Sequence, residues 1–332
     1  METNYFLGID MSKKTFQAAL TLNGVDMAES SVENTSAGIK SYFQALKKKI
    51  RISQLIVCVE HSGIYTYPLL EYLAKNKIKV CVESAIQIQR SQGLKRGKSD
   101  QIDARRIAQY AYKNVQELRF WTPPRKVIEK IKSLLALRSR LVGIKVQLTV
   151  PIKEQEPVSA DLGKLAEKHC KQSIAAIEKD IEKIEREIKA LTNSDQQVKE
   201  QITYATSVPG VGQITALNMI VYTGEFERIS ESKKFACYAG VAPFEYSSGT
   251  SIRGKTRVSK LANMNMKKLL HMAALSSITC SKELRAFYDR KVTEGKNKMS
   301  VLNAVRNKLI SRVFACVKNR RLYEKTYLHA LA

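Results

Sequence analysis

The sequence predicts three parts: an α/β domain at the N-terminus, a pair of long helices, and a mainly helical basic domain at the C-terminus. Three observations carry this. Short apolar runs at 5–9 (YFLGI), 55–59 (LIVCV) and 78–82 (IKVCV) have strand length and lie near segments of helical character. Leu134, Leu137, Leu141, Ile144 and Leu148, then Ile174, Ile177, Ile181, Ile184, Ile188 and Leu191, repeat at 3–4 spacing with charged residues between them. From about residue 203 a new helical region begins that is rich in Lys and Arg. The boundaries expected are 1–120, 121–202 and 203–332.

Within the first part, 15–22 (TFQAALTL) reads as a second strand, and Asn23-Gly24 supplies a hairpin signal. Tyr67 to Asn76 reads as a helix, and so does 100–113, with Ser99 as its N-cap. Trp121-Thr122-Pro123-Pro124 breaks the pattern. The two heptad helices that follow are read as interrupted by Pro151 and Pro157, and as forming either an antiparallel hairpin or part of an oligomer seam. Val208-Pro209-Gly210-Val211-Gly212 leads into a helix at Gln213 to Tyr222. It reads as a helix-hairpin-helix turn or as a plain interhelical turn.

Charge narrows the function. The 332 residues carry 56 Lys and Arg against 31 Asp and Glu, a formal net charge of +25. An excess of that size points to a polyanion, because each phosphate contacted releases counterions. No apolar run approaches the roughly 20 residues of a spanning helix, so a membrane is not expected as partner. The N-terminal METNYFLGIDMSKK turns polar too early for a signal peptide. Six scattered cysteines without a C-x-x-C pair argue against a zinc ribbon or a disulfide framework. Cys58 and Cys81 read as small buried hydrophobes, and the setting expected is a reducing bacterial cytoplasm, at the nucleoid.

Asp10 ends the first strand and Glu60 ends another, so their carboxylates can converge on one ion. Asp100 and Asp103 are three apart at a helix start and project from one face. Four carboxylates suit hard divalent cations, Mg²⁺ above all, and a two-metal site stabilises attacking and leaving oxygens in phosphoryl transfer. Lys95, Arg96, Lys98, Arg105 and Arg106 flank the Asp pair and would hold nucleic-acid phosphates. Taken singly, each carboxylate also has a structural reading, since acids at a helix start complement its dipole.

In the C-terminal part, Ser247-Ser248-Gly249-Thr250-Ser251 is followed by Arg253, Lys255, Arg257 and Lys260, with no acid between Glu245 and Glu283. That reads as a phosphate-binding surface with a nucleophilic hydroxyl, or as a polar turn before a solvated basic helix. On local chemistry the turn is favoured, because no neighbouring base activates a serine.

The phrases GIDMSKKTF, VEHSGIY and KSDQIDARRIA resemble the DEDD domain of the Piv/MooV transposase family, also named after insertion sequence one-ten. The resemblance implies a RuvC-like, ribonuclease H-type fold, with Asp10, Glu60, Asp100 and Asp103 as Mg²⁺ ligands. YAGVAP and SSGTSIRGKTRVSKLANMNMKKLL resemble the C-terminal domain of the same family, which implies that Ser248 is the recombinase nucleophile. Ala262-Asn263 stands where that family has Gly-Asn. The resemblance further implies a structured guide RNA pairing with double-stranded donor and target DNA, and a homodimer or homotetramer in which the acids of one subunit serve the serine of another. The expected function is therefore an insertion-sequence transposase or recombinase. The alternative is a RuvC-like nuclease or Holliday-junction resolvase that uses water as nucleophile, and a third reading is a non-catalytic nucleic-acid-binding protein.

Overall fold

The computed structural model describes residues 4–93, 99–155, 157–248 and 252–324. The chain divides into two compact units, Met1–Pro123 and Pro124–Ala332.

The first unit contains β1 (Tyr5–Met11), β2 (Thr15–Leu22), β3 (Val25–Glu33), α1 (Ser36–Lys49), β4 (Leu55–Glu60), α2 (Tyr67–Lys75), β5 (Lys79–Glu83), α3 (Ala85–Arg90) and α4 (Asp100–Lys113). The sheet order is β3-β2-β1-β4-β5. β2 runs antiparallel to both β1 and β3, and β4 and β5 run parallel to β1. This mixed sheet fits the ribonuclease H-type expectation. The Asn23-Gly24 turn has φ of 48° and 85°, the left-handed pair that a two-residue hairpin requires.

Alternation along β1 sorts the two faces. Leu7, Ile9 and Met11 pack with Val57 and Val59 against Ile39, Phe43, Leu69 and Leu73 of α1 and α2. Phe6 packs on the other face with Ile56, Cys58 and Cys81 against Ile107, Tyr110 and Ala111 of α4. Gly8 lies on this second face, and α4 occupies the place where a side chain would be. A Cβ there would lie 2.2 Å from both the Ala104 O and the Ala108 N.

β3 and α1 are not among the elements read from sequence. Most β3 side chains are exposed, as on a sheet edge, so VDMAESSVE shows no apolar period. α1 is capped by Thr35, whose side chain accepts from the Gly38 N–H, and buries only Ile39, Phe43 and Leu46.

The second unit contains α5 (Lys126–Gln155), α6 (Ala160–Ser194), α7 (Gln196–Thr206), α8 (Gln213–Thr223), α9 (Ser232–Tyr238), β6 (Pro243–Ser248), β7 (Ile252–Val258), α10 (Met264–Cys280), α11 (Lys282–Thr293) and α12 (Lys298–Lys318). α5 and α6 lie antiparallel. Arg138 meets Glu185 at 2.7 Å and Lys145, seven residues on, meets Glu178 at 2.6 Å. Pro151 lies inside α5 and does not interrupt it as expected. A proline forfeits one backbone bond, and here that loss falls in an exposed last turn. The inner ends of both helices, Ile128, Ile131, Ile184 and Ile188, pack on Val198, Leu217 and Ile220 of α7 and α8. Arg125 clasps this region, donating to Asp195 at 2.7 Å and to Glu225 at 2.9 Å.

A separate core joins α9, α10 and α12 through Phe235, Met266, Leu270, Leu309 and Val313. The stretch read as a polar turn and solvated helix is instead an antiparallel ribbon, β6 with β7. Its strands carry charge and expose Phe244, so no half-buried alternation announces them.

Replacing Gly8 with Ala is expected to destabilise the first unit by roughly 3 kcal/mol, because backbone atoms of α4 must move. Gly143→Ala in α5, where a Cβ meets nothing within 4 Å, is the control and should be neutral or stabilising. Urea unfolding of the two variants checks the pair.

Candidate active site

The register of the sheet decides where the carboxylates fall. Ile9 pairs with Val59, so Asp10 and Glu60 are the next residues along adjacent parallel strands. They share parity with Gly8 and Cys58 and therefore lie on the α4 face. Ala104 and Ala108 lie over Gly8, while Tyr112 meets the Phe6 ring edge-on at 5.5 Å. α4 thus runs antiparallel to β1, and its first turn points toward the Asp10 end. Ser99 caps that turn, its side chain accepting from the Ile102 N–H. Asp100 and Asp103 are the acids of that turn.

The four acids thus belong to one face and one end of the sheet. As a donor set they suit a hard divalent cation. In the conformation described, they are not gathered into an ion cage: among the described residues no three His, Cys, Asp or Glu side chains stand close enough to hold a metal. Asp103 is engaged by Arg106, whose Nη1 donates to it at 2.9 Å. The residues fit a divalent ion in kind and in facing, and Asp103 holds Arg106 through one of its two carboxylate oxygens.

The basic flank is divided. Arg105 pairs with Glu29 of β3 and Arg106 with Asp103. Lys95, Arg96 and Lys98 lie outside the described residues. In the second unit, Ser248 closes β6 and its backbone pairs with Ile252 of β7, while Ser247 pairs with Arg253. The side chains of Ser248, Arg253 and Lys255 lie outside the described atoms, as does Ser251. Arg257 and Lys260 are exposed at the far end of the ribbon. Gly212 caps α8, and a Cβ there would meet nothing within 4 Å, so the turn before α8 is open on that side.

One carboxylate at this sheet end went unnoticed in the sequence. Glu83 pairs with Glu60 in the β4–β5 register, on the same face. The signal was present: both strands end in V-C-V-E, and Val57, Cys58, Val59 and Glu60 align with Val80, Cys81, Val82 and Glu83. Burial pushes the Glu83 carboxyl above the ordinary carboxylate range, and Arg119 offsets part of that. His61, which follows Glu60, is exposed and donates its N–H to the Glu83 O at 2.9 Å. Tyr72 and Tyr110 pack into the two cores, whereas Tyr65 and Tyr67 are exposed.

Comparison with known proteins defines the class. Residues 7–155 match the model of the DEDD transposases of the IS110 type, and residues 203–289 match the model described as Transposase IS116/IS110/IS902 family. The chain is 24% identical over 324 residues to the pilin gene-inverting protein of Moraxella lacunata, covering 96% of this chain and 98% of that one. It is 33% identical over 119 residues to an uncharacterized 43.6 kDa protein of insertion element IS110 from Streptomyces coelicolor, covering 36% of this chain and 29% of that one. Among solved structures, T. thermophilus RuvC in complex with a Holliday junction substrate matches at a TM-score of 0.28 and 11% identity, over 36% of this chain and 99% of that one. The protein is a DNA transposase or recombinase. It belongs to the IS110-type family of DEDD transposases. Among the described residues no helix is long and apolar enough to cross a membrane.

The raised Glu83 pKa has a definite sign. A carboxyl that binds its proton more tightly in the folded chain favours folding fully at low pH, and that contribution is lost as pH rises through the folded pKa. Glu83→Gln is therefore expected to raise the thermal midpoint at pH 7, with the difference closing below about pH 4. Calorimetry across that range checks it, and an unchanged midpoint at pH 7 would contradict it.

Proposed function

We propose that this transposase exchanges DNA strands with two chemistries carried on its two units. In the first, Asp10, Glu60, Asp100 and Asp103 would hold Mg²⁺. The bound metal would neutralise charge on a phosphodiester undergoing cleavage. In the second, the Ser248 hydroxyl attacks phosphorus. The P–Oγ bond forms as the P–O bond of the DNA strand breaks, and the serine proton is lost as the leaving oxygen gains one. The phosphoserine link conserves the bond energy, and attack by the hydroxyl end of another strand reverses the step. The observation that supports this reading most is the common facing of Asp10, Glu60 and the first turn of α4, at the end of the sheet toward which that turn points.

In this reading residues 1–120 form the metal domain, 121–202 a coiled-coil connector, and 203–332 the serine domain. Lys95, Arg96, Lys98, Arg105 and Arg106 hold phosphates beside the acids. Arg253, Lys255, Arg257 and Lys260 do so along the ribbon, where a +25 chain meets double-stranded donor and target DNA. A structured RNA pairing with both duplexes supplies sequence choice, so that the protein reads backbone shape. A homodimer or homotetramer in the bacterial cytoplasm is the working assembly.

Ser248→Ala is expected to remove strand exchange and any protein-linked DNA by roughly a thousandfold or more, with Ser247→Ala near the native rate. Asp100→Asn with Asp103→Asn should abolish cleavage while leaving duplex binding in place. Persistent cutting by Ser248→Ala would instead identify water as the nucleophile, as in a resolvase. Sequencing the RNA that co-purifies with the protein tests the guide: a discrete structured species supports it, and its absence contradicts it.

A further inference from the structure

A buried cation lies in the helical core of the second unit. Arg306 of α12 is only 5% exposed. Among the described residues its guanidinium meets the Asn303 Oδ1 at 3.4 Å and the His271 Nδ1 at 2.6 Å, and its Nε has no partner. A guanidinium can only donate, so His271 accepts through Nδ1 and carries its proton on Nε2. Burial, and then the nearby Arg306 charge, lower the His271 pKa, in keeping with a neutral ring. A buried charge of this kind contributes little to stability, since an apolar side chain of similar volume is often as good or better.

What the charge does supply is direction. By donating to Oδ1, Arg306 favours the Asn303 amide orientation that presents Nδ2 to Val241. Nδ2 donates to the Val241 O at 2.7 Å. The Val241 N–H is itself held by the Ala236 O at 2.8 Å. The Val241 backbone is thus held at both its N–H and its C=O, two residues before Pro243 opens β6.

We propose that Asn303 and Arg306 are positioning residues for strand exchange, orienting the β6–β7 ribbon through the Val241 carbonyl. This rests on reading Ser248, at the end of β6, as the nucleophile. Neither residue touches DNA in this role.

The test separates orientation from stability. Asn303→Asp supplies Arg306 with a counter-ion but removes the donor to Val241. In the full-length protein with its nucleic acids bound, its thermal midpoint should be equal or higher, while strand exchange falls by about tenfold or more and duplex affinity stays unchanged. Arg306→Met serves if the Asp variant fails to fold. It should fold and lose exchange similarly, with faster amide hydrogen exchange across residues 241–248 and not in α10 or α12. His271→Gln keeps an acceptor and should exchange strands within about twofold of the native rate. Native exchange rates in Asn303→Asp or Arg306→Met would overturn the proposal, as would losses that track a fall in midpoint. Ser248→Ala is measured in parallel: if it retains exchange, the nucleophile assignment fails on its own, whatever the Asn303 variant does.

Discussion

At Gly8 a helix lies where a side chain would otherwise be. The backbone of α4 meets β1 at a distance that no Cβ allows, and that contact sets how closely the helix lies on the sheet. Because α4 runs against β1, its capped first turn is carried to the end of the sheet where Asp10 and Glu60 also stand. The carboxylates owe their common facing to strand parity and to this one close approach, more than to any attraction among themselves. Four acids would repel one another, and packing has to bring them to one side. In the proposed function a divalent ion would compensate that repulsion.

Two arginines of α4 are taken up by acids of the first unit. Arg106 engages Asp103, and Arg105 is drawn off to Glu29 at the sheet edge. Among the described residues no three His, Cys, Asp or Glu side chains meet closely enough to grip an ion. A metal ion bound at Asp103 would share its carboxylate with the guanidinium or displace it. The arginine displaced by such an ion would stand one turn from the acids, where a phosphate needs a cation.

Much of this was legible from residues alone, and the exceptions have physical causes. The buried strands announced themselves because Leu7, Ile9, Val57, Val59 and Val80 serve one core. Ser99 and the Asp pair marked the start of α4 because a cap is a local interaction. The ribbon did not show itself, since most of its described side chains, Phe244 and Arg257 among them, are exposed and impose no period of two. Pro151 was overweighted because its cost depends on how much helix follows it, which spacing does not reveal. Glu83 escaped although its strand repeats V-C-V-E, because register alone tells which glutamates stand side by side. The Arg306–Asn303–Val241 chain joins residues far apart in sequence and leaves no local signature.

The most direct measurement is a crystal of the protein soaked in Mn²⁺, with the anomalous signal located in the first unit. A peak bordered by Asp10, Glu60 and at least one of Asp100 and Asp103, with Arg106 turned from Asp103, is the expected result. Manganese bound elsewhere at full occupancy, with Arg106 still on Asp103 and the sheet end empty, would contradict it.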